Sequence, residues 1–234
     1  MDSALFDGDD LPEEEPGEGA GERGRKNGEP RDVVVRRLPI YARTLEYLAA
    51  EGITHVSSNE LGERIGISAA QIRRDLAYFG DFGKQGKGYH VTFLLHQMKD
   101  ILRLQQDWNM AVVGMGLLGR ALVRYEGFAQ GGFCIKALFD HDPRKRDGHF
   151  GDLPIHAMDD LPAILAADQI QVALLAVPAT AAQEVADQLV AAGVRAILNY
   201  APTVVHVPPH VRIRHIDPVV MLQSMTYYLE PTED

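Results

Sequence analysis

The stretch Ala111-Val-Val-Gly-Met-Gly-Leu-Leu-Gly119 constrains this chain more than any other. An apolar run from Met110 to Val113 falls straight into Gly114-x-Gly116-x-x-Gly119, and apolar residues at Leu118, Leu122, Tyr125 and then Phe128 follow in a helix-like pattern. The reading is strand, tight turn, helix start. Gly114 makes the turn, Gly116 lets backbone approach a pyrophosphate, and Gly119 lets helix and strand pack closely. The N–H groups and positive dipole end of the helix start are offered to the phosphates. Three glycines at this spacing are a weak signal alone; context strengthens it. The next apolar run, Phe133 to Phe139, ends in Asp140, 26 residues after Gly114. A carboxylate there can accept both ribose hydroxyls and would repel a 2′-phosphate, so NAD(H) is expected over NADP(H). The candidate cofactor contacts here are Gly114, Met115, Gly116, Leu117, Leu118, Gly119, Asp140 and Asp142.

Downstream, strand and helix alternate. His141 to Leu153 is a polar loop in which Arg144, Lys145 and Arg146 could hold an adenosine phosphate, although a solvated loop face is the ordinary reading. Met158 to Ala167 reads as helix, Gln171 to Val177 as buried strand, Thr180 or Ala181 to Ala192 as helix, and Ala196 to Leu198 as strand. Such alternation means a Rossmann-like, doubly wound parallel sheet over residues 108–215. Ligands bind beyond the carboxyl ends of its strands, which selects Val177-Pro178 and Asn199-Tyr200-Ala201-Pro202 as walls near a nicotinamide; plain strand-ending turns remain the alternative. Asp217 to Tyr228 is an amphipathic helix with Asp217 as cap and Pro218 in its first turn. That helix could complete its own domain or dock on a second subunit.

Upstream, Leu38, Tyr41, Ala42, Leu45, Leu48 and Ala49 make a helical stripe ended by Gly52. Ser57 or Ser58 can cap the next helix, with Glu60 available for a capping box. Gly66 breaks the chain, and Ser68 caps a helix from Ala69 to Phe79 with Ile72, Leu76 and Phe79 inward. Two short helices about a Gly-containing turn read as helix-turn-helix. The second helix would enter the major groove, where the Gln71 amide fits adenine and the Arg73 or Arg74 fork fits guanine. Solvated helix residues are the competing reading. The glycine-rich turn Gly80 to Tyr89 carries Lys84 and Lys87, as a basic wing would, against phosphates or in the minor groove. Ser58, Ser68 and Tyr78 complete the candidate DNA contacts. Val91 to Gln106 is a further helix, and Asp107-Trp108-Asn109 a hinge. Residues 33–107 therefore form a winged helix-turn-helix domain.

Charge follows the same division. Residues 1–32 carry 11 acids and 4 bases, 33–106 carry 7 and 10, and 107–234 carry 15 and 9. A basic segment between acidic ones suits nucleic acid. The first 32 residues are rich in Gly, Pro and Glu and read as a disordered acidic tail. No apolar run nears the length of a membrane span, the N-terminus has no secretory pattern, and the single Cys134 permits no internal disulfide; a cytoplasmic protein is expected. Cys134 falls in an apolar strand and reads as a buried thiol. The histidines form no evident catalytic or metal-ligating arrangement, and Pro208 and Pro209 between His206 and His210 argue against the helix that would align those two. The expectation is a nucleotide receptor that catalyses nothing and holds no metal.

Together these features resemble the redox-sensing transcriptional repressor Rex family. The residues that carry the resemblance are Arg37-Leu-Pro-Ile-Tyr-Ala-Arg43, Val56 to Leu61, Gln71-Ile-Arg-Arg-Asp-Leu-Ala-Tyr-Phe-Gly80, Gly83 to Tyr89, Val113 to Gly119, Phe139 to Pro143, Leu198 to Pro202 and the Ile216–Leu229 helix. The resemblance spans about residues 33–230. It implies a homodimer whose C-terminal helix, within residues 216–234, swaps between subunits. Such a dimer would bind palindromic double-stranded operators and release them when NADH replaces NAD⁺. It also implies an interdomain switch at Arg43, Tyr125 and Asp217; where many family members follow that Asp with an apolar or aromatic side chain, this chain has Pro218. Two other readings are a small NAD-dependent dehydrogenase and a CoA-binding module.

Overall fold

Why the first half folds as it does is legible in its caps and its buried stripe. A computed structural model of the chain describes residues 31–84, 87–146 and 148–229, and contacts divide it into two units, Met1–Arg103 and Leu104–Asp234. The expected acidic tail lies outside the described residues except for Arg31 and Asp32, and Asp32 opens a short helix α1 (Asp32–Val35) that the composition did not suggest. Helix α2 (Leu38–Ala50) buries Leu38, Tyr41, Ala42, Leu45 and Leu48. Strand β1 (His55–Val56) leads to α3 (Ser58–Ile65), whose cap is Ser57: its hydroxyl accepts from Glu60 N–H while the Glu60 carboxylate accepts from Ser57 N–H. Gly66, at φ 71°, ends α3 in the left-handed conformation, and Ser68 caps α4 (Ala69–Leu76). Helix α4 stops three residues before the expected Phe79. Strands β2 (Gly83–Lys84) and β3 (Gly88–His90) form the wing, β3 pairing also with β1. Helix α5 (Val91–Ile101) closes the unit. It ends five residues short of the expected Gln106, because Arg103 turns to φ 58°. Leu38, Leu45, Leu61, Ile72 and Leu94 share one core, each such side chain contributing about 2 kcal/mol by leaving water.

The second unit is a seven-stranded sheet in the order β10-β9-β8-β4-β5-β7-β6, parallel except for β6. Strand β4 (Trp108–Val113) is followed by α6 (Leu117–Val123), the short α7 (Gly127–Gln130) and β5 (Phe133–Phe139). Trp108 pairs with Phe133, so the expected hinge at residues 107–109 is already sheet beyond Asp107. A hairpin of β6 (His149–Phe150) and β7 (Leu153–His156) occupies what the sequence suggested was loop. A 3₁₀ turn and α8 (Leu161–Ala167) lead to β8 (Val172–Leu175), α9 (Ala179–Ala191), β9 (Ala196–Asn199), the unexpected edge strand β10 (Arg212–His215) and α10 (Pro218–Thr226).

Alternate strand residues face two cores. Ala111, Val113, Phe139 and Leu175 pack with α8 and α9 side chains, whereas Met110, Val112, Leu138 and Leu174 pack with Leu122 of α6. Cys134 is half-buried rather than buried, because the first half of β5 is only partly covered. The chain runs outward from β4 through β5 to β7, then returns past β4 to β8 and β9. The reversal therefore lies at the carboxyl end of β4, where such sheets bind ligands.

Candidate functional site

Gly114 stands at that reversal. Its φ is 97°, its N–H donates to the Phe139 carbonyl at 2.8 Å, and a Cβ there would stand 2.4 Å from the Ala176 carbonyl oxygen. At Gly119 a Cβ would stand 1.9 Å from the Gly114 carbonyl oxygen. The protein itself demands these two glycines. Gly116 differs: its φ of −76° suits any residue, and a Cβ there would meet nothing within 4 Å. The fold gives no reason for glycine at 116, whereas a pyrophosphate approaching the loop backbone would. Gly116 caps α6 without a side chain, so the first-turn N–H groups of α6 receive no side-chain cap. Met115 is buried beneath the loop, and Leu117 and Leu118 are exposed above it.

Asp140 is buried and has work inside the protein. Its carboxylate accepts from Met115 N–H at 2.8 Å, Asp142 N–H at 2.9 Å and Lys145 Nζ at 2.9 Å. Burial alone would raise its carboxyl pKa, but these hydrogen bonds outweigh burial and hold the group below the usual carboxylate value. Asp140 thus ties the glycine loop to the end of β5, and a ribose would use what remains of its accepting capacity. Arg144 side-chain and backbone donors hold the Asp142 carboxyl well down in the same way. Lys145 and Arg144 compensate both charges, so repulsion of a 2′-phosphate is weaker than Asp140 alone suggested.

Beyond β8 and β9, the expected walls divide by depth. Asn199 is fully buried: its amide nitrogen donates to the Ala201 and Thr203 carbonyls and lies 2.9 Å from His215 Nδ1, and its oxygen accepts from Ala201 N–H. Asn199 and Ala201 therefore shape the turn, while Val177, Pro178, Tyr200 and Pro202 reach its surface. Burial, and after it the neighbouring Tyr125, push the Tyr200 hydroxyl above its ordinary pKa. Tyr125 is exposed and lies edge-on to Phe128, with ring centres 5.2 Å apart. Asp217 caps α10, accepting from Val219 and Val220 N–H at 3.0 and 3.3 Å. Arg43 is exposed on α2 of the other unit.

On that other unit, α3 and α4 meet closely. A Cβ on Gly62 would stand 2.4 Å from the Ile67 carbonyl oxygen, so the turn between the helices needs this glycine, which the sequence reading passed over. Along α4, Arg74 is exposed, Tyr78 just beyond the helix is half-buried, and Arg73 donates to the Ser58 hydroxyl at 2.7 Å. The Ser68 hydroxyl accepts from Gln71 N–H. Gln71 is also drawn inward, as is Asp75, the buried acid of an otherwise apolar inner face. Asp75 accepts from Arg37, Tyr41 and Gln71. Sequence reasoning missed this cluster; the signal was a charge at the inward spacing of Ile72 and Phe79. A groove of about 560 Å³ between α3, α4 and the wing is lined by Ser57, Ser58, Arg73, Phe82 and Tyr89. Lys87 is exposed on the wing and Lys84 lies in β2; the wing tip, residues 85–86, falls outside the described residues. Among the described residues no helix is long and apolar enough to cross a membrane, and no cluster of three or more His, Cys, Asp or Glu could hold a metal.

The family model "CoA binding domain" matches residues 105–203, and "Putative DNA-binding protein N-terminus" matches residues 31–77. The chain is 57% identical over 204 residues to the redox-sensing transcriptional repressor Rex of Chloroflexus aggregans, covering 87% of this chain and 96% of that one. It is similar to the solved structure of RSP in complex with β-NAD⁺ and operator DNA (TM-score 0.79, 37% identity, 84% of this chain and 90% of that one). It is similar also to RSP in complex with β-NADH (TM-score 0.75, 34% identity, 84% and 92%).

Proposed function

This chain belongs to the Rex family of redox-sensing transcriptional repressors, and from that premise we propose how its residues divide the work. It is a repressor and not an enzyme: the C-terminal unit takes NAD(H), whose oxidation state is the signal, and the N-terminal unit takes operator DNA. The observation that carries the assignment is Gly116. It sits at the sheet's reversal with open space where a side chain would be, in a chain that also carries a capped helix-turn-helix.

The pyrophosphate lies along Gly114 to Gly119, the ribose beside Asp140 and Asp142, and the nicotinamide against Val177, Pro178, Tyr200 and Pro202. Asn199 and Ala201 hold that wall from behind. Gln71, Arg73 and Arg74 face base edges, with Ser58, Ser68, Tyr78, Lys84 and Lys87 toward the backbone of the DNA. The protein works in the cytoplasm as a homodimer joined through α10, so two recognition helices meet two halves of a palindrome about one helical turn apart. NADH lowers operator affinity only by binding more tightly to the dimer shape that does not fit DNA. Tyr125, Asp217 and Arg43 link nicotinamide to that choice.

A CoA-binding or dehydrogenase reading is not favoured: each leaves the helix-turn-helix and its lysine wing without work. The test is fluorescence anisotropy of a labelled palindromic operator titrated with the chain in NAD⁺ and in NADH at fixed salt. Tight binding selectively lost in NADH is the expected result. Binding indifferent to both nucleotides would overturn the sensor reading, and CoA competing NADH off the protein would revive the alternative.

A further inference from the structure

Asp75 is fully buried on the inner face of α4, one turn after the half-buried Gln71. One of its oxygens accepts from both Arg37 Nη2 and Gln71 Nε2, each at 2.7 Å; the other accepts from Arg37 Nε and from the Tyr41 hydroxyl. Arg37 and Tyr41 come from the start of α2, and Tyr41 is itself fully buried. The carboxylate is thus held from the core side by three donors before Gln71 supplies a fourth.

We propose that Asp75 is a positioning residue for operator reading: it sets the orientation in which Gln71 presents its amide to a base edge. This rests on the reading of α4 as the helix that meets DNA. A carboxylate only accepts hydrogen bonds, so the amide nitrogen of Gln71 must face it and the carbonyl oxygen must face away. An unheld glutamine would lose side-chain freedom on binding and could offer its amide either way round. Here one N–H and the carbonyl oxygen remain, side by side. That pair matches adenine, which offers an acceptor at N7 and a donor at N6 in the major groove. The group read is therefore an adenine edge.

The experiment measures affinity for a panel of palindromic operators, each base pair of the half-site replaced in turn, using the full-length chain. Gln71→Ala is expected to lower the preference for adenine at one position by about tenfold. Asp75→Asn should lower the same preference by nearly as much with Gln71 still present, and should change it no further in the Gln71→Ala background. A merely structural role would instead weaken binding to all sequences alike. If Gln71→Ala flattens no position, the reading of DNA by Gln71 fails, and the proposal with it. If Gln71→Ala flattens a position and Asp75→Asn preserves it, the proposal alone is overturned. Should Asp75→Asn not fold, the wild-type chain decides through the ¹⁵N relaxation of the Gln71 side-chain amide, assigned by its loss in Gln71→Ala. A rigid amide supports the proposal; one as mobile as other surface glutamines overturns it.

Discussion

At Gly119 a methyl group would stand 1.9 Å from a backbone carbonyl, whereas at Gly116 it would meet nothing within 4 Å. The two substitutions should therefore part company. Gly119→Ala is expected to cost about 1–3 kcal/mol through overpacking between α6 and the loop, visible in chemical denaturation without any nucleotide. Gly116→Ala should leave that stability near wild type and weaken NADH binding at least tenfold, read by nucleotide titration. A Gly116→Ala protein that binds NADH normally would remove the pyrophosphate assignment. The ion pair under α4 behaves differently. Burial alone would raise the Asp75 carboxyl pKa, but the hydrogen bonds from Arg37, Tyr41 and Gln71 hold it below its usual value. A group whose folded pKa is lowered stabilises the fold above its unfolded pKa and loses that contribution as pH falls through the folded one. The N-terminal unit should therefore lose stability as pH drops below about 4. At neutral pH, Arg37→Met should cost about 3 kcal/mol by leaving a buried carboxylate without its cation. Thermal melts of both proteins from pH 3 to 7 check this: the gap between them should narrow toward the acid end.

Elements were legible where one period dominated. Strand β5 has the predicted ends, the caps of α3 and α4 are Ser57 and Ser68 with the predicted capping box, and Asp217 and Pro218 start α10 as their chemistry demands. The hairpin of β6 and β7 was not legible, because β6 is two residues long and β7 contains Pro154, which argues against a strand. Nor was β10: Arg-Ile-Arg-His offers one apolar side chain, which is enough for a strand that pairs on one side only. In the site the glycines were readable from spacing. The inward duties of Asp140, Asn199 and Asp75 were not, since a polar residue's partners are set by tertiary placement rather than by neighbours in sequence. Helix α10 is the element whose pattern and surroundings disagree most. Val219, Val220, Met221, Leu222 and Met225 are each more than half exposed within one chain. So much exposed apolar surface on one helix marks an interaction face. Leu222→Glu with Met225→Glu should therefore give a monomer by sedimentation velocity, with operator affinity falling at least a hundredfold and affinity for a single half-site unchanged. A dimer that survives both changes would place the joint elsewhere.

For the whole molecule, the question is how a nucleotide in one unit can be felt by DNA on the other. Neither nucleotide form needs to touch DNA; it is enough that each favours a different arrangement of the proposed dimer. The range of response is then bounded by a coupling free energy, typically about 1–3 kcal/mol, or roughly 5- to 150-fold in operator affinity. Asp217 is proposed to carry part of that coupling because it does two things. It caps α10 through Val219 and Val220 N–H, and its carboxylate is the charge proposed to act in the switch with Arg43, at the start of the helix proposed to join the subunits. Asp217→Asn keeps an acceptor for the cap and removes the charge, so it separates the two duties. It should remain a dimer with normal NADH affinity and normal operator affinity in NAD⁺. The ratio of operator affinities in NAD⁺ and NADH should fall toward one. Linkage makes the check two-sided, since operator DNA must then also lose its effect on NADH affinity by the same factor. A variant whose operator affinities in NAD⁺ and NADH fall together, with their ratio unchanged, would show damage to a single site and not uncoupling. A variant that keeps both would remove Asp217 from the switch.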